Sequence, residues 1–227
     1  MQVVVLAGGK GTRLFPMTRD IPKPMVSIKG KPFLEYQLRL LRKQGYADVL
    51  LCVGYLARQI KEYFGDGASF GLRIAYAEEQ ELRGTGGALR QAYDALADRF
   101  LLLNGDTYLD VPYRQVIACH EKEHAEGTVV VYNNLLKLAD NNIERDGDGR
   151  IMRYGCSLRA NCVDAGVYVI EKKTVSVIEL GREISLREGI FESLIRKRTL
   201  VGHLTGCRYY DIGTFERIKV FQEEVAV

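Results

Sequence analysis

No apolar run in this chain approaches the roughly 20 residues that a membrane-spanning helix needs. The N-terminal run stops at Ala7 and has no basic flank, which argues against a signal peptide. Charge of one sign is also lacking. The 32 Lys and Arg residues against 29 Asp and Glu leave a net charge of +3, a weak basis for a nucleic-acid or anionic-membrane partner. Five cysteines, at 52, 119, 156, 162 and 207, make an odd count without a CxxC pair. That speaks against a disulfide framework or a zinc ribbon and for reduced, packing thiols in a cytoplasm. Histidine is scarce at three. Two of them form HEKEH at 120–124, a literal HExxH, but no third follows at metzincin spacing, and the run reads as a solvated helix end. His203 reads as a strand-edge residue. There is no internal repeat, low-complexity stretch or linker, so 227 residues are expected to form one domain over 1–227.

Short apolar runs are plentiful, and helical segments separate them. Residues 3–7, 48–55, 72–79, 99–106 and 127–134 are rich in Val, Leu and Ile and read as strands buried on both faces. Between them, 32–45, 57–64, 84–96 and 116–124 carry helical periodicity. This alternation predicts an α/β fold, a doubly wound and mostly parallel sheet. Beyond about residue 140 the pattern changes. The DGDG turn predicts a hairpin, 162–170 a further strand, 186–197 a helix, and a last helix begins near Thr214. The basic runs RKQGY and IRKRTL fall at helix C-termini, where cations complement the dipole.

Open parallel sheets bind ligands beyond the carboxyl ends of their strands. Three special segments are expected there. LAGGKGTRL follows the first strand, a glycine cluster whose bare N–H groups suit phosphate oxygens. It is not a Walker loop, and Leu14 breaks the GxGxxG dinucleotide fingerprint. Arg13 and Lys23 follow, with Pro22 and Pro24 stiffening the backbone around Lys23. The second segment is 80–87, and the third is NGD at 104–106, ending in Asp106. Asp211, in YYDIGT, precedes another glycine. Either aspartate alone reads equally as a turn former. Two of them beside a polyphosphate suggest Mg2+.

The motifs LAGGKGTRLFPMT…IPKPM, GTGGAL, LLNGDTYLDV and YYDIGT together resemble the sugar-1-phosphate nucleotidylyltransferases, in order and over nearly the whole chain. GKPFLEYQLRLLRKQG, EYFGDG and NGDTY most resemble the D-glycero-D-manno-heptose 1-phosphate guanylyltransferases. The resemblance implies a Rossmann-like single domain, with a nucleotide half over about 1–110 and a sugar-phosphate half over about 111–227. The reaction it implies joins an NTP to a sugar 1-phosphate, giving an NDP-sugar for cell-surface glycans and pyrophosphate. It further implies that Leu6, Ala7, Gly8, Gly9, Gly11, Thr12, Gln80, Gly84, Thr85, Gly86 and Asn104 hold the nucleotide. Arg13, Lys23 and Asp106 would serve the reaction, and Asp106 with Asp211 would hold Mg2+. Relatives of this kind commonly form dimers or tetramers, so a homo-oligomer is an open alternative.

The acceptor side departs from the resemblance. Relatives carry Tyr-Gly before the hairpin and Glu-Lys after it, whereas this chain reads DNNIERD and RYGCSLRA. Where relatives have Asn-Gly-Gly or Asn-Ala-Gly, it has Asp164, Ala165 and Gly166. Asn142, Arg153, Arg159, Asp164 and Gly166 are therefore the expected sugar-phosphate residues, and the acceptor is expected to differ from an ordinary aldose phosphate. A sensor that kept the fold but lost chemistry would lack one of the cations or carboxylates, and all are present. The broken fingerprint disfavours an NAD(P)-dependent oxidoreductase.

Overall fold

Seven strands form one central sheet in a computed structural model that describes residues 1–226 apart from 136 and 138. They are β1 (Gln2–Leu6), β2 (Asp48–Val53), β3 (Arg73–Glu78), β4 (Arg99–Asn104), β5 (Gly127–Tyr132), β6 (Val163–Glu171) and β7 (Leu200–Thr205). Their order across the sheet is β7-β5-β6-β4-β1-β2-β3. The pairs of β1 with β2 and β4, of β2 with β3 and of β5 with β7 are parallel. β6 runs antiparallel to both β4 and β5. A mostly parallel α/β sheet is thus what the apolar runs build.

The runs are continuous because both faces are covered. Val3 and Val5 join a core with helices α1 (Phe33–Lys43), α2 (Ala57–Phe64) and α4 (Tyr113–Lys122). Val4 points the other way, into a core with α3 (Gly84–Gln91) and residues 186–194. Period-2 alternation sends neighbours to opposite faces, so a strand covered on both needs apolar residues throughout. A third core joins Leu14, Val26, Ile28 and Phe33 to Ile212 and to Ile218 and Phe221 of the last helix, α5 (Phe215–Glu224). This small cluster brings the loop after β1 against the C-terminal segment.

Several local expectations shift. The loop after β1 contains two short 3-10 turns, Thr12–Leu14 and Lys23–Met25. The helix expected over 84–96 ends at Gln91 and is followed by a 3-10 turn. The one expected over 186–197 begins as a π-helical turn, Arg187–Phe191. The hairpin forms from Ile143–Arg145 and Ile151–Tyr154, with the Asp146 carboxylate accepting from the Arg150 amide.

HEKEH is only half a solvated helix end. His124 is exposed, but His120 is 1% exposed and bonds Thr128 and Glu171. Burial lowers its pKa, so it is a core histidine. His203 lies on β7, at the edge of the sheet. Cys52 and Cys162 are packing residues, whereas Cys156 and Cys207 are exposed because they lie in turns outside the sheet. Among the described residues, no helix is long and apolar enough to cross a membrane.

Candidate active site

The turns after β1, β3 and β4 surround a cavity of about 560 Å3. Parallel strands deliver their carboxyl ends to one edge, and the turn residues meet there. Gly105 is required at this point. A Cβ on it would sit 2.6 Å from the Leu6 carbonyl, which instead accepts the Gly105 amide at 2.9 Å. Gly11 has a left-handed φ of 64°, and a Cβ there would lie 2.8 Å from the Lys23 Cβ. Two glycines thus let the first turn fold against β4 and let Lys23 pass beneath it.

Lys23 is 7% exposed, and its Nζ lies 2.5 Å from Oδ2 of Asp106. Asp106 also accepts from the Thr107 hydroxyl. Charges separated by 83 positions in the chain therefore form one buried-edge pair. Arg13 is exposed, with its guanidinium reaching toward Gly213, where a Cβ would lie 3.8 Å from Nη1. Asp211 arrives by a different route. Tyr210–Asp211 pairs antiparallel with Thr107–Tyr108, and the Ile212 amide donates to the Asp106 carbonyl. The Asp211 carboxylate accepts from Gly213 at 2.8 Å and from Arg217 at 2.6 Å.

Leu6, Ala7, Gly8, Gly9, Gly11, Thr12, Gly84, Thr85 and Asn104 line the cavity together with Arg13, Lys23 and Asp106. Asp211 does not line it, and two of the expected nucleotide residues do not either. Gln80 is exposed and points away, because its neighbour Glu79 takes the inward position. Gly86 is buried, and its amide is already bonded to the Ile184 carbonyl. Its smallness lets α3 pack against Ile184 and Ser185.

Glu79 is the inward-facing carboxylate that motif reading passed over. It is 8% exposed; one oxygen accepts from the Arg83 amide, and the other lies beside Gly8. Burial raises its pKa, and the Arg83 amide opposes that rise. A clue was available in alternation along β3: the residue just past Glu78 must reverse face.

The acceptor residues divide. The Asn142 side-chain oxygen accepts from the Asp164 amide at 2.9 Å. The Asp164 carboxylate accepts from the Tyr154 hydroxyl, from the Tyr168 hydroxyl at 2.7 Å and from the Gly166 amide at 2.9 Å. Burial raises the Asp164 pKa against those donors. Gly166, at φ 71°, approaches Thr107 next to Asp106. The Asn104 amide reaches Tyr168 at 3.3 Å, linking this cluster to the cavity. Arg153 and Arg159 are both exposed, and neither lines the cavity. They follow the outward register of the hairpin and the turn after it. The cation beside the cluster is Arg187, stacked 6.0 Å over the Tyr154 ring. Sequence distance hid it.

Three comparisons agree with this architecture. D-glycero-alpha-D-manno-heptose 1-phosphate guanylyltransferase of Aneurinibacillus thermoaerophilus is 30% identical over 234 residues, covering 99% of this chain and 98% of that protein. The enzyme of the same name from Campylobacter jejuni is 46% identical over 111 residues, 49% of this chain and 50% of that one. The chain thus spans about half the length of some relatives and nearly all of others. A crystal structure of HddC from Yersinia pseudotuberculosis complexed with GMP-PN superposes with a TM-score of 0.83 at 27% identity, covering 98% of each chain. The family model described as nucleotidyl transferase matches residues 2–226, and the chain belongs to that family.

Proposed function

We propose that this chain transfers a nucleoside monophosphate from an NTP to a sugar 1-phosphate, releasing pyrophosphate. The observation that carries this reading is the Lys23–Asp106 pair at the floor of a glycine-walled cavity. A sugar phosphate oxygen attacks the α-phosphorus, the bond to the β-phosphate oxygen breaks, and pyrophosphate departs with that electron pair. The protein must align two anions and neutralise charge as it develops on the leaving group. Arg13 and Lys23 do that, and no nucleophilic side chain is needed.

Asp106 and Asp211 offer hard oxygen donors on adjacent backbone, a set that fits Mg2+. Lys23 now rests on one carboxylate and Arg217 on the other, so both carboxylates would have to exchange those partners to hold the ion. Bound there, the ion would supply charge neutralisation at the phosphates. Residues 1–110 act as the nucleotide half and 111–227 as the acceptor half. The reaction proceeds in the cytoplasm, where five free cysteines stay reduced.

The base is guanine. Glu79 presents a carboxylate inside the cavity, and guanine alone carries an N–H and an amino group side by side on its pairing edge. The names of the guanylyltransferase relatives support the same choice, and they support a heptose 1-phosphate as acceptor. The test is pyrophosphate release over four NTPs and a panel of hexose and heptose 1-phosphates. Fastest turnover with GTP and a heptose 1-phosphate is expected. Absence of release with every pair would leave a nucleotide-sugar sensor with the same fold.

A further inference from the structure

We infer that Gln37, on α1 and outside the cavity, positions the Asp106 carboxylate. The inference rests on the role given to Asp106 above. Gln37 is 1% exposed. Its Nε2 donates to the main-chain carbonyls of Asn104, at 2.7 Å, and Thr107, at 2.5 Å. Those two residues bracket Gly105 and Asp106. An amide nitrogen has two hydrogens, and both are used, one on each side of the turn. The orientation of the amide is fixed by this, since its oxygen cannot face two carbonyls.

The consequence appears at the other end of the amide. Gln37 Oε1 is buried without a hydrogen-bond partner. An unmatched buried acceptor lowers stability and offsets part of what the two bonds to the carbonyls contribute. What the amide supplies is a two-point clamp on a four-residue turn. The other sides of that turn are held as well, by Gly105 on the Leu6 carbonyl and by Ile212 on the Asp106 carbonyl. Backbone freedom is removed around Asp106, and its carboxylate moves only on its own short side chain. A site of this kind loses rate when its support loosens, because a shift of about 1 Å costs on the order of 100-fold. Lys23 shares the effect, since its ammonium rests on the same carboxylate. A methionine or leucine would fill the space on α1 equally well and would bond neither carbonyl.

The test is a double-mutant cycle on the full chain. Gln37→Met keeps length and removes the donors; Gln37→Glu keeps shape and turns an oxygen toward the carbonyls. Folding is checked by circular dichroism and cooperative urea unfolding, and rates are taken well below the melting temperature. In both variants kcat is expected to fall about 10- to 100-fold while the dissociation constant for the NTP stays within about 2-fold. In an Asp106→Asn background, Gln37→Met should change the residual rate by less than about 2-fold, because two groups acting through one carboxylate are not additive. Folded Gln37→Met protein with wild-type kcat, beside an inactive Asp106→Asn, overturns the clamp alone. Wild-type kcat in Asp106→Asn overturns the role of Asp106 and the clamp together. Fully multiplicative losses in the cycle make Gln37 a structural residue only.

Discussion

The two sides of the sheet's carboxyl edge are built on different principles. On the β1–β4 side, short turns place bare backbone, Lys23 and Asp106 within one cavity, and glycine is forced by close approach of main chain to main chain. On the β6 side, a longer hairpin closes over a hydrogen-bonded cluster of Tyr154, Asp164 and Tyr168; its Arg153 is exposed, whereas Arg145 bonds the Gly202 carbonyl and Arg150 pairs with Glu123. The first side has its charges paired and ready for anions. In the second, the carboxylate is already occupied by phenols. On the function proposed above, the first side's turns would have to match phosphate oxygens closely, which bare main-chain N–H groups can do. On the same proposal the hairpin would only have to present a rim to the acceptor, a looser geometric demand.

Removing a charge from the first side should break the comparison most sharply. Lys23→Ala and Asp106→Asn are each expected to lower kcat by about 100- to 1000-fold, the scale of losing one preorganised electrostatic group. Steady-state pyrophosphate release measures this. Lys23→Ala retaining wild-type turnover would make the pair structural and erase the distinction between the sides.

A smaller effect, of another kind, is expected on the second side. Asp164→Ala at saturating NTP should raise KM for the sugar phosphate by about 10- to 100-fold, since a hydrogen-bonding group leaves a built polar cluster. KM for the NTP should hardly move. If the NTP parameter moves instead, the cluster of Asp164, Tyr154 and Tyr168 supports the nucleotide cavity through Asn104 rather than the acceptor.

Glu79→Gln should have the mildest effect on rate and sharpen what the first side selects. A carboxamide replaces one of the two acceptor oxygens with a donor NH2 group, so preference for GTP over UTP should fall by about 10-fold, the value of one hydrogen bond to a buried partner. The unliganded protein should respond in the opposite sense. Burial raises the Glu79 pKa above its ordinary value of 4.5. The folded chain therefore binds this proton at pH values where the unfolded chain has released it. Stability from that source is full below 4.5 and is lost as pH rises through the raised value. At neutral pH, Glu79→Gln should raise the melting temperature of the unliganded protein and flatten its decline with pH. A lower melting temperature at neutral pH would mean that the carboxylate is satisfied without a base.

Much of the first side is legible in sequence, for a physical reason. The triplet NGD needs glycine because of one carbonyl, and IPKP holds its lysine by two fixed φ angles, so local chemistry announces the geometry. Glu79 and Gln80 are adjacent, and only the face each takes decides which enters the cavity. The resemblance carries Gln80 over by position, without regard to which face it takes. Arg153 and Arg159 were chosen by charge alone, and charge says nothing about the register of a hairpin. Arg187 joins the Tyr154 cluster from a helical turn more than thirty positions away, which no local pattern encodes.

The amino-acid sequence by itself determined the strand–helix alternation, the glycine turns and the identity of the cations and carboxylates, because these depend on propensity, sterics and charge within a few residues. Tertiary structure decided the rest. β6 runs antiparallel, and that reversal brings Asp164, at its start, to the edge where parallel strands end. The small core of Leu14, Ile212 and Phe221 joins the first turn to the last segment, and so sets Arg13 beside the Asp211 turn. Contacts between distant segments form only when both faces of the sheet are buried, and no window of the chain contains both partners.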